Sequence, residues 1–406
     1  MSCQHQDLIS LDDALASYQK IQPLQSISLA LLNAHQHVLA DNVFSSVALP
    51  LFTQSAVDGY ALRDADITVG QIEFELIGEI RAGVEQHFEL QTGQALRIFT
   101  GGRLPDSADT VARQEIVNRD QNKIFLNQKI ALGADIRYQG EELQQGTILA
   151  EHGQYLNSGL IAALSMAGVQ QVRVHRQPKI AVLITGDEVG TILDNAAKVF
   201  DANSPMILTW LKEQGFEDVD LQHVVDDEQQ LESILSHALN HYDLVITTGG
   251  VSVGDYDLIR PVSMALGAKE IFWKVAQKPG KPLYFADYQQ DQHCSYLIGL
   301  PGNPAAVFIC LAVHVATILR ALQGAHQIEP QWQQAHVDPS QIKIDSREQL
   351  LRMKLSCSPY GQLQLISLKK QQSHMLSNLN HANVIARIKP YQTKDKQTTT
   401  VDFIYL

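Results

Sequence analysis

Hydrophobic positions in the middle of the chain recur as short β-branched runs separated by segments with helical periodicity. KIAVLITG (179–186) is the first such run, and its length and composition are typical of a strand buried in a sheet. Alternation of strand and helix along one stretch predicts a parallel α/β sheet. The predicted strands are 179–186, 218–225, 243–250 and 294–302, and the predicted helices are 202–215, a segment from Asp226, and a segment from Asn303 or Pro304.

Capping residues in this region predict where two of the helices begin. We expect Asn203 or Ser204 to cap the helix that Gly215 ends, with Pro205 in its first turn. Asp226 heads the next helix, where a carboxylate can accept hydrogen bonds from free backbone N–H groups. Asp226 therefore has two possible roles, as a helix cap or as a carboxylate that contacts a ligand, and the pattern leaves both open.

The flanking segments follow other patterns. Residues 10–22 and 158–169 have helical spacing, each with its first serine as the expected cap. Residues 51–139 contain short β-type runs broken by Gly, Pro and Asp, which predicts a β-rich insertion. Residues 327–406 alternate polar and apolar positions between turns, which predicts a small C-terminal β-barrel or sheet. The predicted fold class is multidomain α/β.

Composition and charge narrow the classes of function. A chain of 406 residues, 18% of them charged, is expected to form two to four ordinary globular domains. Its 31 basic and 44 acidic residues give a net charge of −13, which disfavours nucleic acid and anionic membranes as partners. The chain has neither signal-peptide features nor an apolar run of about 18 residues, so we expect a cytoplasmic protein. The cysteines are expected to be free thiols: Cys3, Cys294, Cys310 and Cys357.

Three polar or glycine-rich segments follow predicted strands directly. They are TGDE (185–188), TTGGVSVGD (247–255) and GLPGNP (299–304). In a parallel α/β sheet the carboxyl ends of the strands meet at one edge, and ligands bind in the loops there. The order of the elements therefore predicts that these three loops form one cluster.

The second of these loops has the composition of a phosphate-binding turn. Gly249, Gly250 and Gly254 would let backbone N–H groups approach an anion, and Thr248 and Ser252 would add hydroxyl donors. A tight turn needed only for folding is the alternative explanation. The loop matches neither the Walker sequence nor GxGxxG.

Three lysines lie close together in a chain that is otherwise acidic. Lys274, Lys278 and Lys281 fall within eight residues, and prolines on both sides of Gly280 stiffen the turn between the last two. A solvated run of charge is the ordinary explanation for neighbouring lysines. The rigid turn favours binding of phosphate or another oxyanion instead.

Carboxylates concentrate at the same predicted edge. Together with lysines around a phosphate, they indicate a divalent cation, most naturally Mg2+, which takes oxygen ligands. The carboxylates are Asp187, Glu188, Asp226, Asp227, Asp255 and Asp257.

These segments, taken in order, resemble the molybdopterin molybdenumtransferases, the family of MoeA and the E domain of gephyrin. The resemblance covers about residues 8–400. The segments that carry it are SAVDGYA (55–61), IFTGGRLP (98–105), QGEEL (139–143), TGDE (185–188), TTGGVSVGDYD (247–257), FWKVAQKPGKP (272–282), GLPGNP (299–304) and QQSH (371–374).

The resemblance implies an elongated homodimer of four-domain subunits whose α/β domain binds molybdopterin. It also implies an activity: molybdate is inserted into adenylyl-molybdopterin, with Mg2+-dependent cleavage of the pyrophosphate link and release of AMP. Contact with the molybdopterin adenylyltransferase and other cofactor-biosynthesis proteins would follow. The implied domains are 1–50 with 140–177 (N-terminal helical), 51–139 (β-rich insertion), 178–326 (α/β) and 327–406 (C-terminal β).

Site residues are carried over from the family by motif. Asp58 and Thr100 would face the site across the dimer, and Arg352, Ser373 and His374 would complete the oxyanion contacts. The implied catalytic residues are Asp58, Glu188, Asp226, Asp255, Lys274, Lys278 and Lys281, of which Glu188, Asp226 and Asp255 would hold the metal. The implied substrate-binding residues are Thr100, Thr185, Gly186, Asp187, Thr248, Gly249, Gly250, Ser252, Gly254, Pro282, Pro301, Gly302, Asn303, Arg352, Ser373 and His374.

The sequence departs from the family pattern at three positions, and two other functions stay open. Glu142 stands where Asp is common and Tyr138 where Arg is common, which we expect to weaken contacts near the dimer interface. Ala306 removes a hydroxyl, and one neutral hydrogen bond contributes about 0.5–1.5 kcal/mol. The alternatives are a molybdopterin adenylyltransferase, which usually consists of the α/β domain alone, and a non-catalytic cofactor-binding scaffold.

Overall fold

The structure is a computed structural model that describes residues 8–186, 189–190, 198–225, 227–251, 257–343, 345–390 and 399–406. Its helices are α1 (Leu11–Ser17), α2 (Asp64–Thr68), α3 (Ser158–Met166), α4 (Asn203–Glu213), α5 (Glu228–His241), α6 (Ile259–Ala265), α7 (Pro304–Cys310) and α8 (Ala316–Leu322). The strands before residue 178 are β1 (Ser26–Ala30), β2 (Val43–Phe44), β3 (Gln54–Ser55), β4 (Gly59–Leu62), β5 (Glu73–Ile80), β6 (Gln94–Ile98), β7 (Thr110–Arg113), β8 (Val117–Asp120), β9 (Lys123–Leu126), β10 (Ile136–Arg137), β11 (Ile148–Ala150) and β12 (Gln171–His175). Those after it are β13 (Ile180–Thr185), β14 (Val189–Gly190), β15 (Val199–Phe200), β16 (Val219–Val224), β17 (Leu244–Thr248), β18 (Lys269–Trp273), β19 (Gln277–Lys278), β20 (Tyr284–Gln290), β21 (His293–Leu300), β22 (Gln333–Val337), β23 (Glu348–Cys357), β24 (Leu363–Ser367), β25 (Val384–Ile388) and β26 (Thr399–Tyr405).

The first helix is shorter than predicted and packs into the α/β core. The Ser10 hydroxyl accepts a hydrogen bond from the backbone N–H of Asp13 at 3.0 Å, so the predicted cap of α1 is confirmed. The helix ends at Ser17 and continues as the 3₁₀ turn Tyr18–Lys20. Pro23 disfavours helical geometry at Gln22, which is consistent with an end before the predicted residue 22. Tyr18 is fully buried, with its ring against Phe272 of β18 and Phe285 of β20.

Two separate stretches of chain build the next layer. β1 pairs antiparallel with β12, and β2 pairs antiparallel with β11. A common apolar cluster joins residues 29–43 to residues 149–174. The two stretches therefore form one packed unit around α3.

The insertion forms its own six-stranded sheet. Its order is β7-β4-β6-β5-β9-β8, and each of its faces carries a small apolar cluster built from residues 57–136. Within the described part of the chain, residues 51–137 make no hydrogen bond or ion pair with residues 178–406. The β-rich character predicted for this segment is confirmed.

The α/β sheet is mixed, although the sequence pattern predicts a parallel one. Its order is β16-β13-β17-β21-β20-β18, and the first four strands are parallel. β20 pairs antiparallel with β21 because only Asp291 and Gln292 connect them, a length that permits a hairpin and no crossover. β18 also pairs antiparallel with β20.

Helix caps in this domain differ from the predicted ones. The Asp201 carboxylate accepts from the backbone N–H groups of Asn203 (2.9 Å) and Ser204 (3.0 Å), so neither of those residues caps α4. Asp227 caps α5 by accepting from Gln230 N at 2.7 Å. Asp226, the predicted start, lies outside the described residues.

The cap of α3 also lies one residue earlier than predicted. Asn157, rather than Ser158, accepts from Leu160 N at 2.8 Å. Local spacing cannot distinguish adjacent polar residues as caps, because tertiary packing decides which one keeps an extended backbone.

The C-terminal strands close into a five-stranded barrel, which confirms the predicted barrel-like domain. β23, β24, β22, β26 and β25 follow one another, and pairing of β23 with β25 closes the ring. β19 pairs in parallel with β23. The segment that carries Lys278 is therefore paired with the first residues of β23.

The longest apolar helix is a core element. Residues 304–322 comprise α7, the π-helical turn Leu311–Val315 and α8. By length and composition this helix could cross a membrane, but 83% of it is buried inside the protein, as expected for a core helix.

Candidate active site

The three predicted loops meet at the carboxyl edge of the parallel strands, where the segment after β17 contacts both the end of β13 and the end of β21. Thr185 Oγ1 donates to the carbonyl of Thr248 at 2.9 Å, and Gly249 N donates to the carbonyl of Leu300 at 3.1 Å. β13, β17 and β21 thus end side by side, and the predicted convergence of their loops is confirmed for the described residues.

The glycines at this edge are required by the turn itself. Gly249 and Gly250 have φ angles of 82° and 65°. A Cβ at Gly249 would lie 2.7 Å from Thr185 Oγ1, and a Cβ at Gly250 would lie 2.9 Å from the Ile259 side chain. The tight-turn explanation therefore holds for both glycines, and phosphate binding by this loop stays a prediction.

Polar groups without partners lie beside the same edge. Asn203 donates through Nδ2 to the carbonyl of Gly302 at 2.9 Å, so the start of α4 contacts the GLPGNP loop. Among the described residues, Asn203 Oδ1 and Ser204 Oγ are buried without a hydrogen-bond partner. Buried polar atoms are rarely left unpaired, and such groups are candidates for contact with a ligand.

Lys274 is held next to the glycine loop by an aromatic side chain. Its Nζ lies 3.5 Å from the centre of the Trp273 ring, within the range of a cation–π interaction. Trp273 Nε1 in turn donates to the carbonyl of Val251 at 3.0 Å. Lys274 is thereby fixed relative to the turn that begins at Gly249.

Lys278 and Lys281 lie in a cavity of about 510 Å³ between the α/β domain and the barrel. Two further cations, Lys343 and Arg347, face the same space. Residues of both domains line it: Lys278, Pro279, Gly280, Lys281, Pro282, Pro301, Asn303, Ala306, Lys343, Arg347, Gln349, Leu351, Gln371, Gln372 and Ser373. The cavity has the size and charge to hold a small multiply charged anion.

One carboxylate already neutralises part of this charge. Asp345 Oδ2 lies 2.7 Å from Lys278 Nζ. The hydrogen bond from Lys278, with one from Arg347 N, lowers the pKa of Asp345 to about 2. Asp345 is therefore ionised at neutral pH and occupies an ammonium group that an incoming anion would use.

Arg352 supports the cavity wall from behind. Its guanidinium is buried and donates to the carbonyls of Lys370, Gln372 and Met375. These bonds hold the turn that presents Ser373, whose carbonyl accepts from Ala305 N at 3.0 Å. Direct contact between Arg352 and an oxyanion stays a prediction, because its donors point to the backbone in this structure.

His374 and Ala306 differ in how they relate to the cavity. His374 is exposed and is not among the residues that line the cavity. Ala306 lines it from the first turn of α7. The methyl group of Ala306 thus lies where the family pattern has a hydroxyl.

Asp58 and Thr100 form a pair in the insertion. Asp58 Oδ1 accepts from Thr100 N at 2.9 Å and from Thr100 Oγ1 at 2.8 Å. These two hydrogen bonds lower the pKa of Asp58, so the carboxylate is charged. The described chain does not link this pair to the cavity, and its approach across a dimer stays a prediction.

Six predicted site residues lie outside the described residues: Asp187, Glu188, Asp226, Ser252, Gly254 and Asp255. They include the three predicted metal ligands. Among the described residues, no group of three or more His, Cys, Asp or Glu side chains is arranged to hold a metal ion. The Mg2+ prediction is therefore untested.

Sequence reasoning missed the residues that complete the cavity from the barrel. Lys343, Asp345 and Arg347 lie in a short polar segment with no glycine or proline signature. Their place in the site follows only from their proximity to Lys278, and that proximity arises from the pairing of β19 with β23.

Comparisons with known proteins agree with this architecture. Residues 9–168 match the family model "MoeA N-terminal region (domain I and II)", and residues 181–321 match "Probable molybdopterin binding domain". The molybdopterin molybdenumtransferase of Staphylococcus epidermidis is 32% identical, over 100% of this chain and 97% of its own length. That of Nostoc sp. is 35% identical over 78% of this chain and 72% of its own.

A solved structure shows the same fold. The MoeA protein of Pyrococcus horikoshii OT3, described as a molybdopterin biosynthesis protein, superposes with a TM-score of 0.78 at 26% identity. The match covers 98% of this chain and 100% of that one. In fold, motif order and full-length similarity, the chain belongs to the molybdopterin molybdenumtransferase (MoeA) family.

Proposed function

We propose that this chain is a molybdopterin molybdenumtransferase that inserts molybdate into adenylyl-molybdopterin and releases AMP. The observation that carries the proposal is the cavity of about 510 Å³ that presents Lys278, Lys281, Lys343 and Arg347 beside the carboxyl edge of the sheet. Four cationic side chains around one space suit a tetrahedral dianion such as molybdate.

The neighbouring edge suits the phosphate end of the substrate. The Gly249–Gly250 turn, Lys274 and the unpartnered Asn203 Oδ1 and Ser204 Oγ lie around it. Cations that hold both the molybdate and the pyrophosphate link would bring the two anions together against their mutual repulsion. Lys274 and Lys278 would then stabilise the negative charge that develops as the link is broken.

Mg2+ is part of the proposal through the residues that would hold it. Glu188, Asp226 and Asp255 supply the oxygen ligands that this ion prefers. Bound there, the ion would neutralise phosphate charge during cleavage. Lys274, Lys278 and Lys281 would also neutralise part of the phosphate charge.

We also propose a cytoplasmic homodimer in which each site takes Asp58 and Thr100 from the partner subunit. The ionised Asp58, held by Thr100, lies in a module that makes no hydrogen bond or ion pair with residues 178–406 among those described. A second copy is the simplest source of such a residue for the cavity. We propose contact with the molybdopterin adenylyltransferase as well, because that enzyme makes the proposed substrate.

The alternatives fit the molecule less well. An adenylyltransferase would not need the insertion or the barrel, yet the similarity to full-length relatives spans the whole chain. A scaffold would not need a cavity that concentrates four cations. A cation-rich cavity formed jointly by two domains favours chemistry on an anion.

The test is release of AMP from adenylyl-molybdopterin with Mg2+ and molybdate. We expect AMP release to depend on molybdate and to fall at least about 100-fold in Lys278→Ala or Asp255→Asn, since each removes a charged contact to a developing charge. Formation of pyrophosphate from ATP and molybdopterin would instead support the adenylyltransferase. Substrate binding without AMP release would support the scaffold.

A further inference from the structure

A chain of buried polar side chains runs beneath the lysine turn. Tyr18 Oη lies 2.9 Å from His314 Nδ1, and His314 Nε2 lies 2.9 Å from Gln277 Oε1. Gln277 Nε2 then donates to the carbonyl of Gly280 at 3.2 Å. Tyr18, His314 and Gln277 are each fully buried.

The last acceptor is a backbone carbonyl, and it fixes the donor and the acceptor of every hydrogen bond in this series. The Gly280 carbonyl can only accept, so the amide nitrogen of Gln277 faces it and the amide oxygen faces His314. His314 must then carry its proton on Nε2, and its Nδ1 accepts from the Tyr18 hydroxyl. One neutral tautomer therefore satisfies every group.

The turn between Lys278 and Lys281 packs directly against these buried polar side chains. Gly280 has a φ of 93°, and a Cβ there would lie 2.5 Å from Gln277 Nε2 and 2.9 Å from Cys310 Sγ. Gln277 precedes Lys278, and Gly280 precedes Lys281. The amide of Gln277 thus holds the backbone between the two lysines that line the cavity.

His314 reaches Gln277 from an irregular part of its helix. It lies in the π-helical turn Leu311–Val315, between α7 and α8. Most side chains around it belong to one large apolar cluster, where an unpaired polar atom would be costly. π-Helical turns are rare and are often found at functional sites.

We propose that Gln277 and His314 are positioning residues that set the separation of Lys278 and Lys281 for binding of a tetrahedral oxyanion. Neither side chain touches the anion. The inference rests on the proposed function, because it assumes that these lysines bind molybdate. It goes beyond that function by assigning the geometry of the turn to a buried series of hydrogen bonds that starts at Tyr18, in the 3₁₀ turn after α1.

The test is calorimetric titration of the purified full-length protein with molybdate alone. We expect Gln277→Leu and His314→Leu to weaken molybdate binding by about tenfold, a loss comparable to that of one charged hydrogen bond. His314→Gln can still donate to Gln277 and accept from Tyr18, so it should restore most of the affinity. Rescue by this variant separates positioning from general packing.

The matched control is Thr317→Val, on the same helix and equally buried. The Thr317 hydroxyl donates only to the carbonyl of Val313, and its loss should lower stability without changing molybdate affinity. Wild-type affinity in folded Gln277→Leu and His314→Leu would overturn the inference. If those variants do not fold, Tyr18→Phe decides, with about twofold weaker binding expected and unchanged binding overturning it.

The two proposals fail in different ways. A folded wild-type protein that does not bind molybdate would contradict the proposed function. A wild-type protein that binds molybdate, with variants that bind it equally well, would contradict only the positioning role.

Discussion

Lys278 enters the cavity with a counter-ion already in place. Asp345 lies on the barrel side, is ionised at neutral pH and contacts the Lys278 ammonium at 2.7 Å. Both side chains remain partly exposed, so the pair contributes little to stability. Its consequence is functional, because an arriving anion must displace Asp345 or share the ammonium group with it.

Asp345→Asn should therefore strengthen molybdate binding. Removing the competing carboxylate frees Lys278 and makes the cavity more positive, and we expect roughly two- to fivefold tighter binding, the range for one exposed ion pair. Titration at low ionic strength measures the change. Asp338→Asn is the control: Asp338 is in the same segment but only caps a 3₁₀ turn, and it should bind molybdate as the wild type does. Equal or weaker binding by Asp345→Asn would show that the carboxylate does not compete.

His314 makes stability depend on pH. Burial lowers its pKa from 6.5 to about 3, so the folded state keeps it neutral, whereas the unfolded chain takes up a proton below about pH 6.5. The unfolded state thus binds more protons between these values, and the free energy of unfolding falls as pH falls. From pH 7 to pH 5 the loss from this residue should be about 2 kcal/mol.

Urea denaturation at pH 7 and pH 5 measures this effect. His314→Gln cannot titrate, so its stability should change less between the two pH values. Burial raises the pKa values of Tyr18 and Cys310, the titratable neighbours of His314, and both stay neutral in this range. An identical pH dependence in the variant and the wild type would contradict the prediction.

At the scale of elements, the glycine turn after β17 is constrained by its neighbour strand. Gly249→Ala would force a side chain into a φ of 82° and to within 2.7 Å of Thr185 Oγ1. We expect a loss of stability of about 2 kcal/mol or more, together with reduced AMP release as the loop shifts.

Gly267→Ala supplies the matched comparison. Gly267 has a φ of 100°, but a Cβ there meets nothing within 4 Å. Both variants place Ala at a positive φ, so both lose stability for that reason, and only Gly249→Ala adds a steric clash. Thermal or urea unfolding should therefore show Gly249→Ala to be the less stable, and only Gly249→Ala should lose activity. Equal effects of the two substitutions would assign the cost to backbone conformation alone.

At the scale of the whole molecule, the proposed site needs two copies of the chain. Asp58→Ala and Lys278→Ala would each inactivate a homodimer, but a heterodimer of the two would keep one site with an intact Asp58 and an intact Lys278. Mixing equal amounts under subunit exchange should restore about a quarter of the wild-type rate, because half of the dimers would each have one working site.

The rate of AMP release before and after mixing measures this complementation. An affinity tag on one variant alone establishes whether exchange has occurred, because the untagged variant is then retained with the tagged one. Exchange without recovered activity would place Asp58 and Lys278 in the site of the same subunit, whereas full activity of Asp58→Ala alone would place Asp58 outside the site.

The architecture at this scale could be predicted where it depends on local pattern. Strands such as β13 and β17 are continuous apolar runs, and the barrel strands alternate, so periodicity alone indicated which layers they form. The convergence of the Thr185, Gly249 and Leu300 segments also followed, since parallel strands that alternate with helices end at one edge.

What the amino-acid sequence determined by itself was the alternation of the four parallel strands with their helices, the β character of the flanking modules, the carboxyl-edge loops and the lysine turn. Tertiary structure alone decided which residues complete the site. The two-residue connection before β21 turned the sheet mixed, and pairing of β19 with β23 brought Lys343, Asp345 and Arg347 to Lys278. Tyr18 and His314 lie 296 positions apart, and no local spacing encodes a hydrogen bond between them. Periodicity is a property of neighbours along the chain, whereas these contacts exist only after distant segments have packed.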